Sequence, residues 1–457
     1  MSYGRLALVV NNVAQHASAA GLKRGDAVAL QVSDSVLHLV LMLGLTRIGV
    51  VSLSAGVAKI PREVAVDAIL ADAVASASPV RTIRVDHHWT TGDGRTPSPH
   101  ADDGEGTDIA RIVLTSGTTG EPKGVALTHD MIARRLWAFT SAFGDRIPNC
   151  SRWFVDVGLS SNYGFQWIVW LLSRGGAVFL RGSDPAETMQ AFELYKVQCM
   201  VAAPAGVAEF LELYEHSPTF SCPFEVILAG GSVTWKSLAD RVRAHMCSHL
   251  VTSYGATEAS PVAAGPSRQL SDIGGAVGYV APGMTVEAVD DRDRTLAPGE
   301  TGLIRIRGEY CVAGYIGNPP EARQTFRNGW FYPGDIGSVS ADRLLVITGR
   351  QSVVINVGGN KTSPESIEQV VLAHPGVEQA AAINVHNELG IDEVWAAIVA
   401  APSLDEGALR RHCQARLPDL FVPRKFVRLA ALPLNAAGKL DRKRLADLAR
   451  EHDPHRL

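Results

Sequence analysis

Between about Arg111 and Ser253 the chain alternates short β-rich apolar runs with longer stretches of helical pattern. RIVLT precedes THDMIARRLWAF, GAVFL precedes PAETMQAFELY, CMVAA precedes GVAEFLELY, FEVILA precedes TWKSLADRVRAHM, and HLVTS closes the series. The alternation predicts β-α units on a mostly parallel sheet. Ligands of such sheets collect beyond the carboxyl ends of the strands, which directs attention to the loops after RIVLT, FEVILA and HLVTS.

Outside this stretch the pattern changes twice. After Ser260 short strands with turn residues, such as GMTVEAVD and GLIRIRG, predict a β-rich subdomain ending near Arg350. From about Ser352 a compact α+β module is expected, with a helix around SPESIEQVVLAH, strands in AAAINV and VWAAIVA, and a last helix in DRKRLADLAR. The fold class expected is therefore α/β: a large N-terminal domain, 1–351, with mostly parallel sheets and a β-rich subdomain, plus a small mobile α+β C-terminal domain, 352–457. Residues 91–108, TGDGRTPSPHADDGEGTD, read as a surface loop. The most apolar stretch, SVLHLVLMLGL at 35–45, is roughly half the length of about 20 residues that spans a bilayer, and reads as a buried helix.

Composition narrows the function. With 46% hydrophobic and 20% charged residues the chain is globular, and 43 Gly with 24 Pro imply many turns and backbone-lined sites. Its 43 basic and 47 acidic residues leave a net charge of -4, no field for a polyanion, so nucleic acid is not expected as a partner. The cysteines, at 150, 199, 222, 247, 311 and 413, form no C-x-x-C pair and read as reduced, mostly buried thiols. No basic leader or cleavage site marks the N-terminus, so a cytoplasmic protein without a membrane span is expected.

The strongest local signal is TSGTTGEPKG, residues 115–124, after the strand RIVLT and before a helix for which Thr128 is the expected cap. Gly117, Gly120 and Gly124 allow backbone N–H groups to turn inward, Thr115, Ser116, Thr118 and Thr119 offer hydroxyls, and Lys123 offers a charge: a phosphate cradle. It is not a Walker A loop, since Pro122 stands where the second Gly belongs and Gly124 follows Lys123 in place of Ser or Thr. Further along stand Ala229-Gly230-Gly231-Ser232 after FEVIL, Tyr254-Gly255-Ala256-Thr257-Glu258 after HLVTS, Tyr332-Pro333-Gly334-Asp335, Gly349-Arg350, Gly358-Gly359-Asn360-Lys361, and Lys439 in PLNAAGKLDRKRL.

In this order the motifs resemble those of the adenylate-forming superfamily, acyl-CoA and aryl-CoA ligases in particular, over nearly the whole chain. The resemblance implies that residues 115–124 hold the β- and γ-phosphates of ATP, that Gly230 and Gly231 lie against adenine, and that Tyr254 and Gly255 do likewise. It implies that Thr257 contacts the α-phosphate, that Glu258 holds Mg2+, whose preference for oxygen ligands suits a carboxylate, and that Asp335 accepts the ribose hydroxyls with Arg350 near ribose or phosphate. Lys439 is then the catalytic cation of adenylation, and Gly358, Gly359 and Lys361 flank the passage of coenzyme A. A small carboxylic acid, ATP and CoA are the partners so implied, a homodimer is compatible with the family, and a domain swivel separates the two half-reactions.

Three positions depart from the family. Ser161 stands where many acyl-CoA ligases have a gating His, Ser352 occupies the usual Asp or Lys hinge, and the start matches a segment that normally lies some way into the chain, so a trimmed N-terminus is expected. Tyr163, Phe165, Trp167 and Trp170 are read either as narrowing the acyl pocket toward a short or aromatic acid or as core. Two other functions stay open on sequence: an adenylation enzyme that loads a carrier-protein phosphopantetheine, to which Asp156 in FVDVG offers a faint likeness as an amino-group ligand, and a non-catalytic nucleotide- or acyl-binding relative.

Overall fold

The computed structural model describes residues 1–451 apart from 56–59, 74–78, 95–103, 117–121, 145–146, 148–149, 183, 217–221, 233, 235, 271, 318–321, 352–354, 358–359, 387–391 and 435–439. They gather into two compact units that the chain enters more than once: Met1–Val201 with Gly255–Pro261 and Arg307–Phe331, and Ala202–Tyr254 with Val262–Ile306 and Tyr332–Leu457.

In the first unit, helix Tyr3–Ala19 is started by Ser2, whose side chain accepts from the Arg5 amide, and helix Ser35–Arg47 by Asp34, which accepts from the Leu37 amide. The second of these helices is the apolar run of residues 35–45, and its residues Leu37 to Met42 are all buried. Beside the helices lies a sheet in the strand order Thr82–Arg84, Ala68–Ala71, Ala27–Gln31, Val51–Ser54, Ile109–Ser116, Pro122–Thr128. Its pairs are parallel except the last, which runs antiparallel from Thr115 opposite Lys123 to Ile109 opposite Thr128. That last strand is an element the sequence reading did not foresee between residues 115–124 and the helix capped by Thr128. VAL at 125–127 is an apolar run that pairs antiparallel onto IVL at 112–114, so Lys123 and Gly124 lie in a strand, Pro122–Thr128. Thr128 does cap the next helix, His129–Phe143, accepting from the Met131 amide at 3.2 Å. A parallel set, Arg152–Val155 with Ala177–Leu180 on one side and Cys199–Ala202 on the other, carries out the expected β-α alternation.

The second unit contains the parallel pair Val226–Gly230 and Leu250–Ala256, with Gly230 opposite Ser253. It also holds antiparallel strands Ala276–Val280, Leu344–Arg350, Asp335–Val339 and Gly302–Gly308, the β-rich stretch expected after Ser260. Near its C-terminal end Val377–His386 runs antiparallel to Asp392–Ala400, which pairs parallel with Lys425–Arg428. Helices Pro364–Leu372 and Glu406–Gln414 bury Ile367, Val371, Leu409 and Cys413 in one apolar cluster, and helix Arg442–Glu451 buries Leu445 and Ala449 in another. Each cluster removes several aliphatic side chains from water, at about 1.5–3 kcal/mol for each fully buried one. The strand Leu344–Arg350 lies close to Ser363: a Cβ on Gly349 would stand 2.3 Å from the Ser363 Cβ, so only glycine permits this approach. Among the described residues no helix is long and apolar enough to cross a membrane.

Candidate active site

The second unit brings together residues that the sequence separates by about eighty positions. Asp335 opens strand Asp335–Val339 and faces Arg350, which ends strand Leu344–Arg350, as its cross-strand partner. Arg350 Nε donates to Asp335 Oδ1 at 2.8 Å, and the Tyr254 hydroxyl donates to Asp335 Oδ2. The Asp335 carboxylate is 2% exposed, whereas half of the Arg350 side chain faces solvent. The carboxylate of Asp335 raises the Arg350 guanidinium above its ordinary range against the opposing effect of burial. A buried carboxylate that accepts from two directions is a rigid acceptor for hydroxyl groups. Gly230 ends strand Val226–Gly230, and Gly231 follows at φ +89 with open space where a Cβ would be. A left-handed turn at a strand end leaves the backbone bare for a flat ring.

The first unit holds the other described motif residues. Thr257 and Glu258 form the turn between strands Leu250–Ala256 and Ala259–Pro266. Glu258 is buried, and Oε1 accepts from the Tyr315 hydroxyl at 2.7 Å. Lys123 is buried too, with Nζ 5.1 Å from the centroid of the same Tyr315 ring. Thr115 is half-buried in the strand facing Lys123, and Gly255 is exposed in strand Leu250–Ala256. Among the described residues no cluster of three or more His, Cys, Asp or Glu is placed to hold a metal. Mg2+ commonly rests on one or two carboxylates and takes its remaining ligands from phosphates and water, so a lone Glu258 fits that donor set.

Other expected positions fall outside the description. Gly117, Thr118, Thr119, Gly120, Ser352, Gly358, Gly359 and Lys439 are not among the described residues, nor are the side chains of Ser116 and Lys361. Strands Ile355–Val357 and Asn360–Thr362 pair across the Gly358-Gly359 step.

Several other residues singled out by the sequence have defined surroundings. Trp167 is 0% exposed and its ring lies within 5.0–6.2 Å of Phe139, Phe143, Trp153, Trp170 and Tyr163. Trp170 donates to Thr140 Oγ1 at 3.0 Å, and Phe165 lies under the Arg111 guanidinium at 4.5 Å. These three are core, and only Tyr163 is left half-buried. Ser161 is a helix cap: its Oγ accepts from the Gly164 amide and donates to the Gly158 carbonyl, both at 2.9 Å. Asp156 makes a forked pair with Arg181, at 2.5 and 2.8 Å.

The sequence reading missed two residues that touch this site. Tyr315 stands in CVAGYIG, with no periodicity to mark it. Arg135 was detectable: it falls on the apolar stripe of helix His129–Phe143 with Phe139 and Ala142, where a charge needs a reason.

With this geometry in place, comparison with known proteins gives a consistent result. A family model for AMP-binding enzymes matches residues 1–316, and one for the AMP-binding enzyme C-terminal domain matches 366–439. The 2-succinylbenzoate–CoA ligase of Geobacillus kaustophilus (strain HTA426) is 32% identical over 354 residues, covering 75% of this chain and 69% of that protein. A probable CoA ligase, CCL9, of Humulus lupulus is 27% identical over 98% of this chain and 91% of its own length. The fold matches ATP-bound MatB from Rhodopseudomonas palustris with a TM-score of 0.82 at 23% identity, over 99% of this chain and 94% of that one. It also matches the Bacillus subtilis o-succinylbenzoate CoA synthetase MenE, in complex with the acyl-adenylate OSB-AMP, with a TM-score of 0.80 at 22% identity, over 96% and 92%.

Proposed function

The chain belongs to the AMP-binding enzyme family, and from that premise we propose that it is an ATP-dependent acid:thiol ligase acting with coenzyme A. A substrate carboxylate oxygen attacks the α-phosphorus of ATP and pyrophosphate leaves. The thiol of CoA then attacks the acyl carbon of the acyl-AMP, AMP leaves, and a thioester remains.

The observation that carries the reading is the convergence of Tyr254 and Arg350 on buried Asp335, a ready acceptor for ribose hydroxyls. Gly230, Gly231 and Gly255 take the adenine side, and Thr115, Ser116, Gly117, Thr118, Thr119, Gly120 and Lys123 take the phosphates. Thr257 faces the α-phosphate. Mg2+, held by Glu258, supplies neutralisation of phosphate charge when bound. Lys439 brings a cation to both reactants as charge builds on facing oxygens, and Gly358, Gly359 and Lys361 lie on the CoA side. No Ser, Cys or His nucleophile is needed, because the substrate supplies it. We take 1–351 as the adenylation domain and 352–457 as the mobile one.

The test is carboxylate-dependent ATP–pyrophosphate exchange across a panel of aryl, dicarboxylic and straight-chain acids, followed by thioester detection with free CoA. Exchange with thioester formation is the expected result. Exchange without it would transfer the reading to a carrier-protein acceptor, and no exchange with any acid would sink the enzyme reading.

A further inference from the structure

Arg135 is 0% exposed, yet its hydrogen bonds among the described residues all go to backbone carbonyls. Nη1 donates to Thr257 O at 3.0 Å, Nη2 to Glu258 O at 3.3 Å, and Nε and Nη2 to Tyr310 O at 3.2 and 3.1 Å. A buried guanidinium is costly, and burial pushes this one down to about 10. The nearby Cys311, Glu258 and Tyr310 groups partly offset that downward push. The fork joins two chain segments, the Thr257–Glu258 turn and the stretch at Tyr310, through one rigid planar group, a geometry that a lysine does not reproduce. The Glu258 carbonyl receives a second tie from the Val312 amide at 2.9 Å.

The side chain of Glu258 is held separately. Tyr315 donates to Oε1 at 2.7 Å, and among the described residues no hydrogen bond engages Oε2. Tyr315 is itself fixed. Its ring meets Phe326 edge-on at 5.1 Å, carries Lys123 Nζ on its face at 5.1 Å, and its neighbour Ile316 donates its amide to Gly124 O at 2.9 Å. One tyrosine thus touches both the cation of the phosphate loop and the acid of the Thr257–Glu258 turn.

We propose that Arg135 and Tyr315 are positioning residues that present Glu258 to a phosphate-borne divalent cation: Arg135 sets the backbone of the turn, Tyr315 fixes Oε1, and Oε2 is left for the ion. The inference rests on the reading of Glu258 as the Mg2+ residue. Outer partners of metal-ligating carboxylates generally tune affinity through orientation, with losses of about 10- to 100-fold when removed.

The experiment measures ATP binding to the full-length protein by calorimetry as free Mg2+ is varied, for the wild type, Tyr315→Phe, Arg135→Lys and Glu258→Gln, alongside melting temperatures. Tyr315→Phe keeps the ring contacts to Lys123 and Phe326 and removes only the hydroxyl. It is expected to raise the Mg2+ needed for half-maximal ATP binding by about tenfold, while metal-free ATP binding and the melting temperature stay near wild type. Arg135→Lys is expected to shift Mg2+ dependence in the same direction with a lower melting temperature; if it does not fold, Tyr315→Phe carries the test alone. A Mg2+ dependence moved by Glu258→Gln but not by Tyr315→Phe would overturn the positioning role. A dependence that Glu258→Gln leaves unmoved would overturn the metal reading itself, and this inference with it.

Discussion

Asp335 has both carboxylate oxygens engaged, Oδ1 by Arg350 and Oδ2 by Tyr254, and is almost fully buried. Two hydroxyls of a ribose presented to such a group meet a charged acceptor whose orientation is already paid for by the fold. Hydrogen bonds to charged groups contribute about 1.5–3 kcal/mol each. Asp335→Asn retains the shape and removes the charge, so ATP affinity is expected to fall about 10- to 100-fold. Calorimetry of nucleotide binding checks this, and Tyr254→Phe, which leaves the carboxylate and its Arg350 pair in place, should lose less. A fall equal in the two variants would mean that the tyrosine, not the carboxylate, carries the affinity. The same view separates functional charges from structural ones. Arg111 is 1% exposed, donates to Ser54 Oγ and Leu159 O, and is pushed down to about 9 by burial; it ties the start of strand Ile109–Ser116 to the segment before the Ser161 cap.

At the scale of elements, three pieces of the C-terminal region meet on one arginine. Arg442 opens the last helix, and its Nη2 lies 3.2 Å from Glu365 Oε1 and 3.0 Å from Glu368 Oε1, two acids one turn apart on helix Pro364–Leu372. Its Nη1 donates to Ala382 O on strand Val377–His386, whose Ala382 amide donates back to Glu368. Burial outweighs Arg442 and pushes the Glu368 carboxyl from 4.5 up to about 7. A carboxyl whose folded value lies above its unfolded one favours the folded state when protonated. That stabilisation is complete below 4.5 and is lost as pH rises through about 7. Glu368→Gln keeps a neutral acceptor for the Ala382 amide, so its melting temperature, followed from about pH 5 to about pH 8, should decline less than that of the wild type. Parallel curves for the two proteins would remove Glu368 as the titrating group. These contacts also mark where sequence reading stops. The helix at SPESIEQVVLAH was legible because Ile367 and Val371 repeat at helical spacing. The strand Pro122–Thr128 was hidden, since its partner is chosen by chain reversal and not by its own pattern. The facing of Asp335 and Arg350 depends on strand register and the Tyr254–Asp335 bond on tertiary packing, neither of which a local pattern encodes. Tyr315 and Arg442 act through tertiary neighbours that no local pattern encodes.

For the whole molecule, the proposed reaction makes two opposed demands: the acyl-AMP must form with water kept away, and a thiol must then reach it. One fixed arrangement of side chains serves both poorly, which is the physical case for a C-terminal region that presents Lys439 in the first step and the stretch at 358–361 in the second. The ends of the Lys439 segment are firmly held. Leu434 bridges Leu440, the Asp441 amide donates to Pro433 O at 2.8 Å, and Arg442 is locked by Glu365 and Glu368. In the proposed reaction Lys439 serves the first step alone. Lys439→Ala should therefore slow acyl-AMP formation by roughly 100- to 1,000-fold, the scale of losing one preorganised charge at the reacting centre. Thioester formation from acyl-AMP supplied ready-made should remain near the wild-type rate, because the proposed second step does not use the lysine. Single-turnover assays of the two half-reactions separate these outcomes. Equal losses in both would mean that Lys439 serves a single arrangement throughout, and alternation between two would lose its chemical ground.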